Sequence, residues 1–168
     1  MLVFGETFDR ALKFVLEHEG CFSDDPKDAG GLTRWGISQK NHPDVNVSTL
    51  TIEQATEIYK KEYWDVCRCG EMPSALSFVV FDVAVNQGVG VAIRDLQKIL
   101  GVKVDGVIGP DTLLAISVRS TIGDMITRLT IERSCRYAEA SVGKSGYFRG
   151  WVKRAVECMA EALGMRYN

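Results

Sequence analysis

Long apolar runs are missing from this 168-residue chain. Nowhere do about 18 uninterrupted apolar residues occur, so no membrane-spanning helix is expected. The opening Met1–Asp9 carries no basic region and no apolar stretch of signal length, which predicts a protein made in the cytoplasm without its own export signal. Histidine is scarce, with only His18 and His42, and the five cysteines (Cys21, Cys67, Cys69, Cys135, Cys158) are odd in number and scattered. That excludes a disulfide framework, and a Cys-x-Cys without paired Cys-x-x-Cys lacks the spacing of a structural zinc site. Free thiols and no bound metal are expected. Pro- or Ser-rich linkers, low-complexity segments and 20–50-residue repeats are also absent, so the chain reads as one globular unit and not as an array.

Net charge is close to zero, at −2, and gives no field to hold nucleic acid. The halves differ. Residues 1–84 hold 8 Lys/Arg and 14 Asp/Glu, whereas residues 85–168 hold 12 and 8. An acidic half suits carboxylate chemistry, and a basic one suits contact with an anionic polymer.

What is present is helical periodicity. Phe8, Ala11, Leu12, Val15 and Leu16 fall on one face of a helix capped near Thr7 and ending near Gly20. Thr51 and Gln54 form a capping box that opens a second helix towards Trp64. Ser74 opens a third, apolar nearly all round and therefore central. Further helices are predicted over 91–100, 111–117, 122–140 and 150–163. Strand chemistry is confined to Asp24–Ser38, where Gly30-Gly31 permits a tight turn and Leu32–Ile37 alternate. The fold class is mainly α with a small β-hairpin or irregular loop after the first helix.

Glu19 follows Val15 by four residues and Leu12 by seven, in phase with the apolar face. A carboxyl so placed either turns to solvent where the helix end frays or is desolvated and so held protonated, as a general acid for glycosidic cleavage must be. Asp28 and Thr33 come nine and fourteen residues later, with Gly30-Gly31 between them to fold the chain back. Together they fit a pair that holds water opposite the acid, the arrangement of an inverting glycosidase. Asp and Thr are also ordinary turn residues, so singly neither marks a site. Trp35, Tyr63, Trp64 and Trp151 have faces that suit pyranose stacking or burial in a helical core, and Asp82 with Asn86, one turn apart, suits substrate binding or a buried polar network. Gly143-Lys144-Ser145 lacks the glycine and the strand a phosphate loop requires.

The segment His18-Glu19-Gly20-Cys21-Phe22 through Asp28-Ala29-Gly30-Gly31-Leu32-Thr33-Arg34-Trp35-Gly36-Ile37 closely resembles the signature of glycoside hydrolase family 108, the N-acetylmuramidases of phage endolysins and secretion-activator proteins. Tyr63-Trp64, Asp82 to Gly88, and Phe148-Arg149-Gly150-Trp151 with Arg154 fit the same family. Residues 96–116, with Asp105-Gly106 and Ile108-Gly109-Pro110, look like the peptidoglycan-binding segment that follows in such proteins. The resemblance implies two segments, 1–92 glycosidase and 93–168 peptidoglycan-binding, packed as one unit with a lysozyme-like fold. It implies a cofactor-free muramidase that cuts the β-1,4 bond between N-acetylmuramic acid and N-acetylglucosamine. By the same resemblance Glu19 is the catalytic acid in the family's Glu-Gly-Gly motif, whose second Gly is Cys21 here. The Glu19, Asp28, Thr33 spacing is also similar to that of T-even phage lysozymes. Trp35, Tyr63 and Asn86 are the substrate-binding candidates. Peptidoglycan is the expected partner, with no nucleic acid, a monomeric state, access to the periplasmic wall through a membrane-permeabilising holin, and no metal. The alternative is a non-catalytic peptidoglycan-binding or wall-assembly protein, in which Glu19 would have no role.

Overall fold

The computed structural model describes residues 5–19, 22–23, 32–118, 121–141 and 145–165, with backbone alone at 19, 22–23 and 145–146. The chain forms two compact units, 1–62 and 63–168.

The first unit begins with α1 (Glu6–Glu19), which buries Phe8, Ala11, Leu12 and Val15, the face the periodicity predicts. Three two-residue strands follow, β1 (Phe22–Ser23), β2 (Thr33–Arg34) and β3 (Ile37–Ser38), paired antiparallel in the order β1-β2-β3. The alternating stretch Leu32–Ile37 is therefore not one strand. It is broken at Trp35-Gly36, where φ is +54° and +77°. Positive φ at both central residues is the signature of a two-residue hairpin turn whose twist matches the flanking strands. Gly30-Gly31, the expected turn, lies outside the described residues.

Glycine adopts this conformation freely, but Trp35 costs about 1–2 kcal/mol there. Two contacts hold it. The Trp35 indole donates to the Leu50 carbonyl at 3.2 Å, and Tyr59 Oη donates to the Trp35 carbonyl at 3.1 Å. A 3-10 turn over Val47–Thr49 leads into α2 (Ile52–Tyr59), opened by the reciprocal Thr51–Gln54 capping box. Gln39 fixes the intervening loop by donating to the carbonyls of His42 (3.1 Å) and Val45 (2.8 Å) and accepting from the Val47 N–H (3.3 Å).

The second unit is built around α3 (Ser74–Gln87), in which ten consecutive residues, Ala75–Ala84, are buried. It packs on α4 (Val89–Leu100), α6 (Ile122–Ala140) and α7 (Ser145–Gly164), with α5 (Pro110–Val118) lying against α4. Gly101, left-handed at φ +64°, ends α4 as a C-cap glycine should. α7 starts five residues earlier than the sequence predicts. Tyr147 stacks on Trp151 one turn later, ring centroids 6.0 Å apart, and this packing carries the helix through glycines that read as breakers. Trp64 is buried edge-on against Phe81 at 5.5 Å, a core role. Cys67, Cys69, Cys135 and Cys158 are free thiols, and among the described residues no helix is long and apolar enough to cross a membrane.

Candidate active site and a buried polar network

Glu19 is the last residue of α1, so the helix delivers it where the chain turns into β1. The strand register then brings the chain back: Thr33 pairs with Ser23 and Arg34 with Phe22. Ser23 is four residues beyond Glu19, and opposed residues in an antiparallel pair lie about 4.5–5.5 Å apart at Cα. Thr33 is thus held beside the segment that leaves the catalytic candidate. The Glu19 side chain and the whole of Asp28 lie outside what is described.

Thr33 is half-buried and paired on its other side with Ser38. Arg34 next to it donates to the Ser48 carbonyl at 2.7 Å, which ties β2 to the 3-10 turn. Trp35 is half-buried with its indole N–H committed to Leu50. His42 Nε2 pairs with Glu62 at 3.1 Å near the end of this unit.

In the second unit Tyr63 is half-buried and its carbonyl accepts from the Cys67 N–H at 3.0 Å. Asn86 accepts through Oδ1 from the Tyr137 hydroxyl, at the edge of a buried polar network. At its centre Asp82, 1% exposed, receives Arg133 Nη1 on one carboxylate oxygen and Arg154 on the other, through Nε at 3.0 Å and Nη2 at 2.8 Å. Burial pushes the Asp82 carboxyl up, but the two guanidiniums outweigh it and hold the group below the usual carboxylate range. Arg133 Nε donates to the Tyr137 hydroxyl at 2.6 Å, and its guanidinium carbon lies 5.4 Å from the Tyr137 ring centroid. Among the described residues its Nη2 is buried without a hydrogen-bond partner, and the Tyr137 ring lies within cation–π distance of the guanidinium. Burial, reinforced by Asp82, keeps the Cys158 thiol well above its ordinary pKa and therefore unreactive.

A second ion pair, Arg136 on the 3%-exposed Asp95 side chain, runs alongside, and Gln87 accepts from Arg136 Nε at 2.9 Å. Asp82 is thus the centre of a polar network that ties α3 to α6 and α7, with Asn86 at its edge. Among the described residues no group of three or more His, Cys, Asp or Glu side chains is placed to hold a metal.

Residues 12–88 match the glycosyl hydrolase 108 model, and residues 91–156 match the model described as a predicted peptidoglycan domain. The solved structure of SagA from Brucella abortus is similar at 32% identity, over 94% of this chain and 94% of that one, with a TM-score of 0.83. This chain belongs to the glycosyl hydrolase 108 family. No curated protein sequence matches it. Membership makes the chain a glycoside hydrolase, and the second match makes peptidoglycan its polymer. Within the glycosyl hydrolase 108 segment lie the C-terminal half of α1 with Glu19, the three strands, and α3 with Asp82. The arginines that neutralise Asp82 come from the peptidoglycan-type segment. Sequence reasoning reached Asp82 and Arg154 as family positions but missed Arg133, Tyr137 and the Asp95–Arg136 pair. Their partners lie 41 to 51 residues away, a separation that no periodicity reports.

Proposed function

We propose that the protein is a lysozyme-type N-acetylmuramidase that hydrolyses the β-1,4 bond between N-acetylmuramic acid and N-acetylglucosamine. Glu19 acts as the general acid. The observation that carries the reading is the Ser23–Thr33 strand register, which returns a hydroxyl residue to the segment leaving Glu19. Glu19 donates its proton to the glycosidic oxygen as the bond to C1 breaks. Asp28 and Thr33 hold a water on the opposite face; its oxygen bonds to C1 and its proton passes to Asp28. Trp35, Tyr63 and Asn86 are the substrate-binding candidates. The proposal includes a monomeric enzyme of the endolysin type, made in a cytoplasm and reaching the periplasmic wall after a holin opens the membrane.

The test is digestion of purified peptidoglycan followed by mass and NMR analysis of the fragments. New reducing ends on N-acetylmuramic acid are expected, in the inverted anomeric configuration at early times. Reducing ends on N-acetylglucosamine would refute the bond assignment. An initially retained anomer would refute the water-holding roles of Asp28 and Thr33, because inversion requires carboxyls about 6.5–9.5 Å apart with water between them.

The basic second half is the surface that meets peptide carboxylates of the wall. Lys98 has a 60%-exposed side chain. Lys98→Glu is therefore expected to weaken sedimentation with purified walls more at low salt than at high, since screening at about 8 Å removes such attraction near physiological ionic strength. Salt-independent binding would contradict this.

A further inference from the structure

The segment between α4 and α5 is held by one buried side chain. Gln97, 1% exposed, donates from Nε2 to Asp105 Oδ1 at 2.8 Å and to the Val107 carbonyl at 2.9 Å, and accepts the Gly106 N–H on Oε1 at 2.9 Å. Gly106, at φ +81°, supplies the left-handed residue this turn needs, and a Cβ there would press on the Arg94 guanidinium at 3.3 Å. Asp105 caps the turn by accepting the Val107 N–H at 3.1 Å. The loop is therefore preorganised, and it is preorganised with apolar groups facing out. Val107 is 64% exposed, and Leu114 and Val118, one turn apart on α5, are 63% and 67% exposed.

These three side chains line a concavity of about 580 Å³, within the usual size of a ligand site. Lys103, Asp105 and Asp111, all exposed, also line it, and the Lys103 ammonium lies 3.7 Å from the Asp105 carboxylate, leaving its other donors to solvent. Among the described residues no aromatic side chain lines it. A fixed recess that presents large aliphatic groups to water marks a binding surface. The missing aromatic platform argues against a sugar ring, whose flat apolar face needs one. Small methyl side chains, a carboxylate and an ammonium match this lining.

We propose that this groove binds the peptide stem of peptidoglycan. Alanine methyls would lie against Val107, Leu114 and Val118, a stem carboxylate would meet Lys103, and the ammonium of the diamino acid would meet Asp111. The proposal rests on the reading of peptidoglycan as the polymer, and it adds a peptide-recognising surface to a glycan-cutting enzyme.

The test uses the full chain and a synthetic stem tetrapeptide, followed by calorimetry and by amide chemical shifts. Saturable binding is expected, with shifts at 103–118. The Leu114→Gln/Val118→Gln double variant should weaken it about tenfold, the loss of one or two apolar contacts. Lys103→Glu, on a side chain 87% exposed, should weaken it several-fold at low salt and carries the test if the double variant melts early. Absence of saturation, affinity unchanged in both variants, or binding of a peptide-free N-acetylglucosamine oligomer in place of the peptide would overturn the proposal. So would a concentration-dependent dimer that the double variant abolishes, because the groove's occupant would then be a second copy. The readout is binding and not turnover, so it is independent of Glu19. Peptide binding by a protein that cuts no wall would sink the muramidase reading and leave the groove standing.

Discussion

Glu19→Gln is expected to abolish wall lysis, lowering the rate by at least about 10²–10⁴-fold, while the melting temperature stays within a few degrees of the wild type. The amide matches the carboxyl in size but cannot deliver the proton that the leaving oxygen needs, and general acid catalysis contributes on that scale. Position 19 ends α1, where a change of side chain leaves the helix's buried set of Phe8, Ala11, Leu12 and Val15 intact. Turbidity loss of purified walls measures the first quantity and circular dichroism the second. Lysis within tenfold of wild type would remove Glu19 from the chemistry. Equal loss of lysis and of helix content would make it a structural residue.

The largest expected effect on stability is at Asp82. Asp82→Asn leaves Arg133 and Arg154 facing each other in a buried site with no counter-charge. Breaking a buried pair by removing one partner costs about 3–5 kcal/mol. At about 2–4 °C per kcal/mol for a chain of this size, the melting temperature should fall by roughly 6–20 °C. The pH dependence follows from the sign of the shift. The folded carboxyl is held below its unfolded value of about 3.9, so its contribution is fully present above about pH 4 and is lost as pH falls through the folded value. Wild type should therefore lose stability steeply on acidification below about pH 4, and Asp82→Asn should lack this part of the slope. A drop of under about 1 kcal/mol, or an unchanged acid limb, would contradict the two-arginine clamp.

Local signals in the sequence are legible where local chemistry decides the structure. The Thr51–Gln54 box, Ser74 after Pro73, and Gly101 each mark an element end through groups within four residues of one another. The apolar phase of α1 is legible for the same reason, with Phe8, Ala11, Leu12 and Val15 buried. Trp35-Gly36 was illegible because tryptophan is a poor choice for positive φ. The turn is specified by Leu50 and Tyr59, both distant in sequence, and not by the residues that form it. The start of α7 is hidden for a related reason, since stacked Tyr147 and Trp151 outweigh helix propensity. The groove between α4 and α5 carried its glycines and Asp105 in plain view. Its shape depends on Gln97, which in sequence looks like any polar helix residue.

The Asp82 clamp also imposes an order on synthesis. Its carboxylate is made early, Arg133 comes 51 residues later, and Arg154 comes 72 residues after Asp82. Contacts of such separation close slowly, because the intervening chain must first be ordered. Until α7 has been translated, Arg133 balances the charge of Asp82 but the second carboxylate oxygen lacks its Arg154 donors, and an unpaired oxygen resists burial in the middle of α3. A chain interrupted before Arg154 is therefore expected to leave α3 incompletely packed and to be cut faster by proteases than the full chain.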